Sequence, residues 1–224
     1  MNKIFKLNIL ILQTLFLYIF LLISPSIGLE KYYKADSVSN YFSGIISLQN
    51  NQYQKSYNFF KNLENLEDNH SKYSRSYIEA LINNTKINEA FKYSKKLKEK
   101  EMNFFQSDLV ILSKFIKNND FSKANAYIIS NKKNYYTPLQ ELLSQIIFNW
   151  VKVEKLKLNY NEALEVFKTI DPKYKNIKKI NNVFLNCYFD TSNVEEKFLN
   201  LINNQSTDFS RYTFFYANYL LKKD

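Results

Sequence analysis

Several residue types are nearly missing from this 224-residue chain: it has one cysteine (Cys187), one histidine (His70), one tryptophan (Trp150), two glycines and three prolines. A lone cysteine rules out an internal disulfide, and none lies near residue 28 to accept a lipid anchor. One histidine with one cysteine gives no zinc-ligand spacing and no Ser-His or Cys-His pair for nucleophilic work. So few glycines leave no phosphate-cradling loop, and with so little proline there are too few turn signals for a fold of many short strands. Arginine, the preferred fork for phosphate, occurs only as Arg75 and Arg211, so the formal charge of +10 rests on lysine. No nucleic-acid motif accompanies that charge, and no nucleic acid partner is expected.

The few candidate chemical groups read as structural. His70 sits in the polar turn LEDNHSK and is expected to face solvent. Cys187 lies among Val183, Phe184, Leu185, Tyr188 and Phe189 and is expected to be a buried thiol. Glu64, Glu67 and Asp68 read as solvated helix-end charges. No catalytic residue, metal or cofactor is expected, and the chain reads as a non-enzyme.

Apolar material, by contrast, is plentiful, at 46% hydrophobic and 17% aromatic. Residues 1–28 read as an export signal: Lys3 and Lys6 precede an apolar run over 7–23, which Ser24-Pro25 ends before the small pair Ser26 and Gly28. The rival reading is an uncleaved anchor through residues 7–23, because about 17 apolar residues lie at the short edge of what spans a bilayer. Both place the rest of the chain in the periplasm or on the periplasmic side of the inner membrane. Residues 29–36 form a polar linker.

The remainder is organised around residues 159–172, NYNEALEVFKTIDP, where Tyr160, Ala163, Phe167 and Ile170 share one helical face and Asp171-Pro172 ends the helix. The arrangement occurs three times upstream, centred on Ser56 in YQKSYNFF, Ala90 in INEAFKYS and Ala124 in FSKANAYI. These anchors fall 34, 34 and 39 residues apart. Helix axes that cross at about 8 to 10 Å leave room for little more than a methyl group, which explains the small residue.

A period of 34 built from two helices resembles the tetratricopeptide (TPR) repeat family, and the resemblance covers most of the chain. It implies an all-α, right-handed solenoid of antiparallel helix hairpins over residues 37–224. The repeats would be about 37–68, 71–102, 104–136 and 138–172, with a weak fifth at 174–204, where Lys197 holds the small position, and an unpaired terminal helix over 208–222. Gly44, twelve residues before Ser56, stands where the family keeps a small residue. The capping signals Thr137-Pro138-Leu139-Gln140 and Ser192 to Glu195 mark two further helix starts. The extra five residues of the last interval fall in the loop at 131–136 and the long helix after it.

The resemblance also implies that function lies in a concave groove formed by the first helix of each hairpin. Counted from the small anchors, its positions are Tyr41, Ile45 and Leu48, then Lys72, Arg75, Glu79 and Ile82. The third repeat gives Gln106, Leu109, Ser113 and Ile116, and the fourth Gln145, Phe148 and Lys152. Such a lining suits an extended peptide or a partner's helix. Tyr41 and Ile45 stand where members that grip a terminal carboxylate carry Lys and Asn, so that clamp is not supported. The expected function is a non-enzymatic protein-interaction scaffold of the bacterial cell envelope. Three alternatives stay open: a structural subunit of an envelope assembly, with self-association through helix 208–222; the N-terminal arm of a larger TPR-containing protein; and a binder of anionic membrane surfaces.

Overall fold

The computed structural model describes residues 35–63, 66–68, 70–131, 137–204 and 210–223. The expected export signal or anchor, all but the end of the linker, and Glu64 lie outside the described residues. The chain divides into two compact units, residues 1–39 and 40–224, and the second holds the helical hairpins. Among the described residues every regular element is helical. The α-helices are α1 (Ala35–Gln49), α2 (Tyr53–Phe60), α3 (Ser71–Asn83), α4 (Ile87–Glu99), α5 (Phe105–Lys117), α6 (Phe121–Asn131), α7 (Pro138–Leu156), α8 (Tyr160–Lys168), α9 (Lys175–Tyr188), α10 (Val194–Ile202) and α11 (Thr213–Leu220). None of them is long and apolar enough to cross a membrane.

From α2 onward each helix packs on the next in sequence, and the first helices α3 and α5 of neighbouring hairpins also touch. The result is five hairpins in series, α1/α2 to α9/α10, followed by α11. Each second helix, with the residues just after it in α2 and α8, buries the same three positions, at i, i+4 and i+7: Ser56, Phe60 and Leu63; Ala90, Ser94 and Leu97; Ala124, Ile128 and Asn131; Ala163, Phe167 and Ile170; Val194, Phe198 and Leu201. None of these is more than 6% exposed. The fifth hairpin therefore crosses on Val194, not on Lys197. Its turn is longer, α10 opens at Val194 after an Asn193 cap that makes no side-chain capping bond, and among the described residues the capping box expected at Ser192 is not made. Lys197 is half-buried and donates from Nζ to Asn186 Oδ1 at 3.0 Å.

At the crossing of α1 and α2 a small residue faces a large ring. Ser56 Oγ donates to the Gly44 carbonyl at 2.9 Å, and a Cβ on Gly44 would lie 2.5 to 2.9 Å from three carbons of the Phe60 ring. Every hairpin turn then uses a left-handed residue: Asn51, Thr85, Asn119, Lys157 and Asp190, with φ between 47° and 58°. Glu101 does the same between the second and third hairpins. In the second hairpin Lys86 N donates to Leu81 O and Thr85 N to Ile82 O, both at 2.9 Å, which satisfies carbonyls that the helix end leaves unpaired. Asparagine tolerates this backbone, whereas a β-branched residue such as Thr85 carries a steric penalty of about 1 to 2 kcal/mol.

Two polar groups depart from expectation. Glu67, in the 3₁₀ turn Leu66–Asp68 between the first two hairpins, is only 1% exposed. Lys96 Nζ at 2.5 Å and Lys100 Nζ at 3.3 Å reach it from α4 and the turn after it. Burial alone would raise its carboxyl, but the lysine contacts outweigh that and hold it below its ordinary range. His70 is half-buried. Its Nδ1 accepts from Tyr73 N at 3.2 Å and caps α3, and its ring lies 4.7 Å from that of Tyr41. Both residues join neighbouring hairpins where short connections leave a helix end to satisfy.

Helix α11 docks on the fifth hairpin. Tyr212, Tyr216 and Tyr219 pack against a cluster that includes Ile180, Val183, Val194, Phe198 and Leu201, and Tyr219 donates to Asp190 Oδ1 at 2.6 Å. Cys187 is half-buried beside this cluster, and burial pushes its thiol up.

Candidate functional site

The first helices do not treat their predicted recognition positions alike. In α3 the buried residues Tyr73, Ser74, Ile78, Ala80 and Leu81 hold two sides of the helix. Lys72, Arg75, Glu79 and Ile82, at steps of three, four and three, stay exposed as one strip. The Arg75 guanidinium lies 5.2 Å from the centre of the Phe104 ring. On α5, Gln106 and Ser113 are exposed, while Leu109 and Ile116 are half-buried. On α1 the arrangement differs. Tyr41, Ile45 and Leu48 are half-buried against Phe60, Leu63, Tyr73 and Ala80, and the exposed apolar side chains are instead Val38 (43%), Phe42 (59%) and Ile46 (58%).

On α7 the predicted positions lie elsewhere again. Gln145, Phe148 and Lys152 line a pocket of about 740 Å³, together with Ile128 and Ile129 of α6 and Val166 and Thr169 of α8 and its C-terminal end. Gln145 Nε2 donates to Thr169 O at 3.0 Å and Asn149 Nδ2 to Val166 O at 3.3 Å, tying α7 to α8 at the pocket wall. The pocket thus lies between the second helices of two successive hairpins. One residue explains the difference. The left-handed turn residue precedes the small anchor by five in the first three hairpins but by six in the fourth, where Leu158 is added. One extra residue turns a helix by about 100° relative to the count. Measured from the turn, the positions matching Arg75 and Glu79 are Ile147 and Val151, and Val151 is 1% exposed. The strip on α3 therefore has no counterpart on α7.

A smaller pocket of about 370 Å³ is lined by Arg75, Glu101, Asn103, Phe104, Phe105, Asp108 and Gln140. Asp108, on α5, is only 1% exposed. Its Oδ1 accepts from Asn103 Nδ2 at 2.9 Å and from Tyr127 OH at 2.7 Å. Burial raises its carboxyl above the ordinary range, against the smaller opposing effects of these two bonds and of Lys98. Sequence reasoning passed over Asp108 because FQSDLVIL reads as an apolar helix face with one interruption. The signal was that Asp108 falls 34 residues after Ser74, in the same repeat position, and Ser74 is itself buried. Among the described residues no three His, Cys, Asp or Glu side chains come together within metal-ligating reach.

No protein-family model matches the chain, and neither a curated protein nor a solved structure is significantly similar to it.

Proposed function

We propose that this chain is a TPR-type helical repeat that acts as a non-enzymatic protein-binding scaffold, exported to the periplasm or held at the inner membrane through residues 7–23. The observation that carries the reading is the strip Lys72, Arg75, Glu79 and Ile82 on α3, beside Gln106 and Ser113 on α5. These side chains mix both charge signs with apolar contact and stay exposed between residues that the packing consumes. A surface of that kind suits a partner peptide or helix. Because the hairpins behind it hold the backbone in place, little ordering is left for binding to accomplish.

The test is photo-crosslinking in the native cell envelope from Arg75 and Ser113, with exposed Lys95 on α4 as control. One protein captured from both strip positions, absent at Lys95 and lost on Arg75→Glu, is the expected outcome. Identical capture profiles at all three positions would refute the reading. For export, an alkaline phosphatase fusion after Asp36 should be active, and a well-expressed but silent fusion would return the chain to the cytoplasm. A second reading, self-association through the terminal helix, is favoured by the exposure of Phe214 (70%) and Leu221 (74%) on and beside α11. Sedimentation of the wild type and of Phe214→Glu tests it, and a monomer in both excludes it.

A further inference from the structure

We propose that Asp108 anchors a site for a primary ammonium group of a bound peptide, supplied by a lysine side chain or a chain N-terminus, in the pocket beside Arg75. This assigns a chemistry to one place on the α3/α5 face and rests on the scaffold reading.

Asp108 is paired unevenly. A carboxylate removed from water is destabilised strongly unless its oxygens are paired. Asp108 is 1% exposed, yet both of its hydrogen bonds fall on Oδ1, and Oδ2 has no partner among the described residues. Neither bond comes from a cation, and no salt bridge reaches it among the described residues. Lys98, whose charge acts on Asp108, commits its ammonium group to Asn131 Oδ1 at 2.6 Å. A ligand that brings a donor with a positive charge would therefore complete Asp108, and the pocket it lines is open to receive one.

The other walls narrow the class. Glu101 adds a second carboxylate, and Asn103 and Gln140 supply amide groups. Phe104 and Phe105 give an apolar wall that fits an aliphatic stem. A volume of about 370 Å³ is far more than a bare metal ion needs. Arg75 also lines the pocket, has no ion-pair partner among the described residues, and disfavours a naked divalent cation. Arg75 would instead pair with an acidic group near the amine, which a peptide can carry.

The experiment tracks the amides and side-chain carboxyl carbons of the purified full chain by NMR during titration with n-butylammonium chloride. Tetramethylammonium chloride and sodium butyrate serve as controls at matched ionic strength. Saturable shifts at Asn103 and Asp108 are expected with n-butylammonium alone, together with a fall in the Asp108 titration midpoint when the probe is bound. Asp108→Asn keeps an oxygen for Asn103 and Tyr127 and should weaken binding at least tenfold. Glu101→Gln, at an exposed position, should weaken it a few-fold without touching the fold. Nα-acetyl-lysine amide and alaninamide then separate the two sources, and failure of both to bind overturns the proposal. So does an equal response to tetramethylammonium, or a response unchanged in Asp108→Asn. Partner capture from Arg75 without ammonium binding would refute this site and leave the scaffold standing. Ammonium binding without capture would do the reverse.

Discussion

Replacing Gly44 with alanine sets two known effects against each other. In an open helix the change stabilises by about 0.8 to 1.0 kcal/mol, because alanine surrenders less backbone freedom. Here the new methyl would sit 2.5 Å from one carbon of the Phe60 ring and within 2.9 Å of two more. The ring cannot swing aside: Phe60 is 0% exposed, with the rings of Tyr41, Tyr73 and Tyr77 centred 6.5, 5.8 and 6.4 Å away. Overpacking of a filled site costs about 1 to 3 kcal/mol, so the net expectation is a loss of up to about 2 kcal/mol. That corresponds to a fall of up to roughly 8 °C in Tm. Hydrogen exchange should show the loss concentrated in α1 and α2, since distant hairpins do not share the contact. In a Phe60→Leu background the same substitution should become neutral or stabilising, giving a coupling of about 2 kcal/mol in the double-mutant cycle. If Gly44→Ala raises Tm in the wild type, or if the cycle shows no coupling, the crossing of α1 on α2 is not as described.

Ser94 occupies the position that Phe60, Ile128, Phe167 and Phe198 fill in the other hairpins, and its buried hydroxyl has no partner among the described residues. Ser94→Ala should therefore raise the urea midpoint, by about 1 kcal/mol in stability; a drop would mean the hydroxyl is paired. Ala124→Leu and Ala163→Leu, at crossings with 0% exposure, should each destabilise by about 1 to 3 kcal/mol. Ala126→Leu, at an exposed position of α6, should do much less, and equal thermal shifts at all three sites would contradict the packing register. Glu67 and Asp108 should shape the pH dependence in opposite senses. With its carboxyl held down, Glu67 stabilises the fold above its ordinary 4.5 and loses that contribution as pH falls through the lower folded value, so Glu67→Gln should flatten the acid limb of a Tm–pH profile. Asp108, held up by burial, weighs against the fold at neutral pH and is relieved as pH falls through its raised value. Asp108→Asn should thus stabilise at pH 7 and lose that advantage in acid, and a uniform offset across pH would refute the assignment.

How legible each position is in the sequence depends on the physical constraint that governs it. Small residues at helix crossings are forced by the approach of two backbones, so Ser56, Ala90, Ala124 and Ala163 announced four hairpins by spacing alone, and all four are fully buried. The start of α7 was equally legible, because Thr137 caps it through Gln140 N at 3.2 Å with Pro138 at the first position. Lys197 misled because a strict period of 34 overshoots here: Val194 follows Ala163 by only 31 residues, and burial rather than size identifies it as the crossing residue. Phe148 and Lys152 face α6 and α8 instead of continuing the α3 strip because a single added residue, Leu158, changes nothing in composition but rotates the helix. Glu67 and Asp108 were missed because an acid in a polar turn and an acid in an apolar run look ordinary until the third dimension supplies Lys96 from one side and Tyr127 from another.

Nearly every tie between hairpins spans about one repeat of sequence. Lys98 reaches Asn131, Lys100 reaches Asp68, Trp150 reaches Asn181 and Tyr188 reaches Glu154. No loop longer than a repeat must close before such a contact forms, so the entropic barrier to reaching the transition state is small. Folding should be quick, and able to begin at whichever hairpin gathers its core first. The same property limits how far a local injury travels. A defect at Gly44 loosens its own hairpin and the next, while Phe198 and Tyr219 at the far end stay packed.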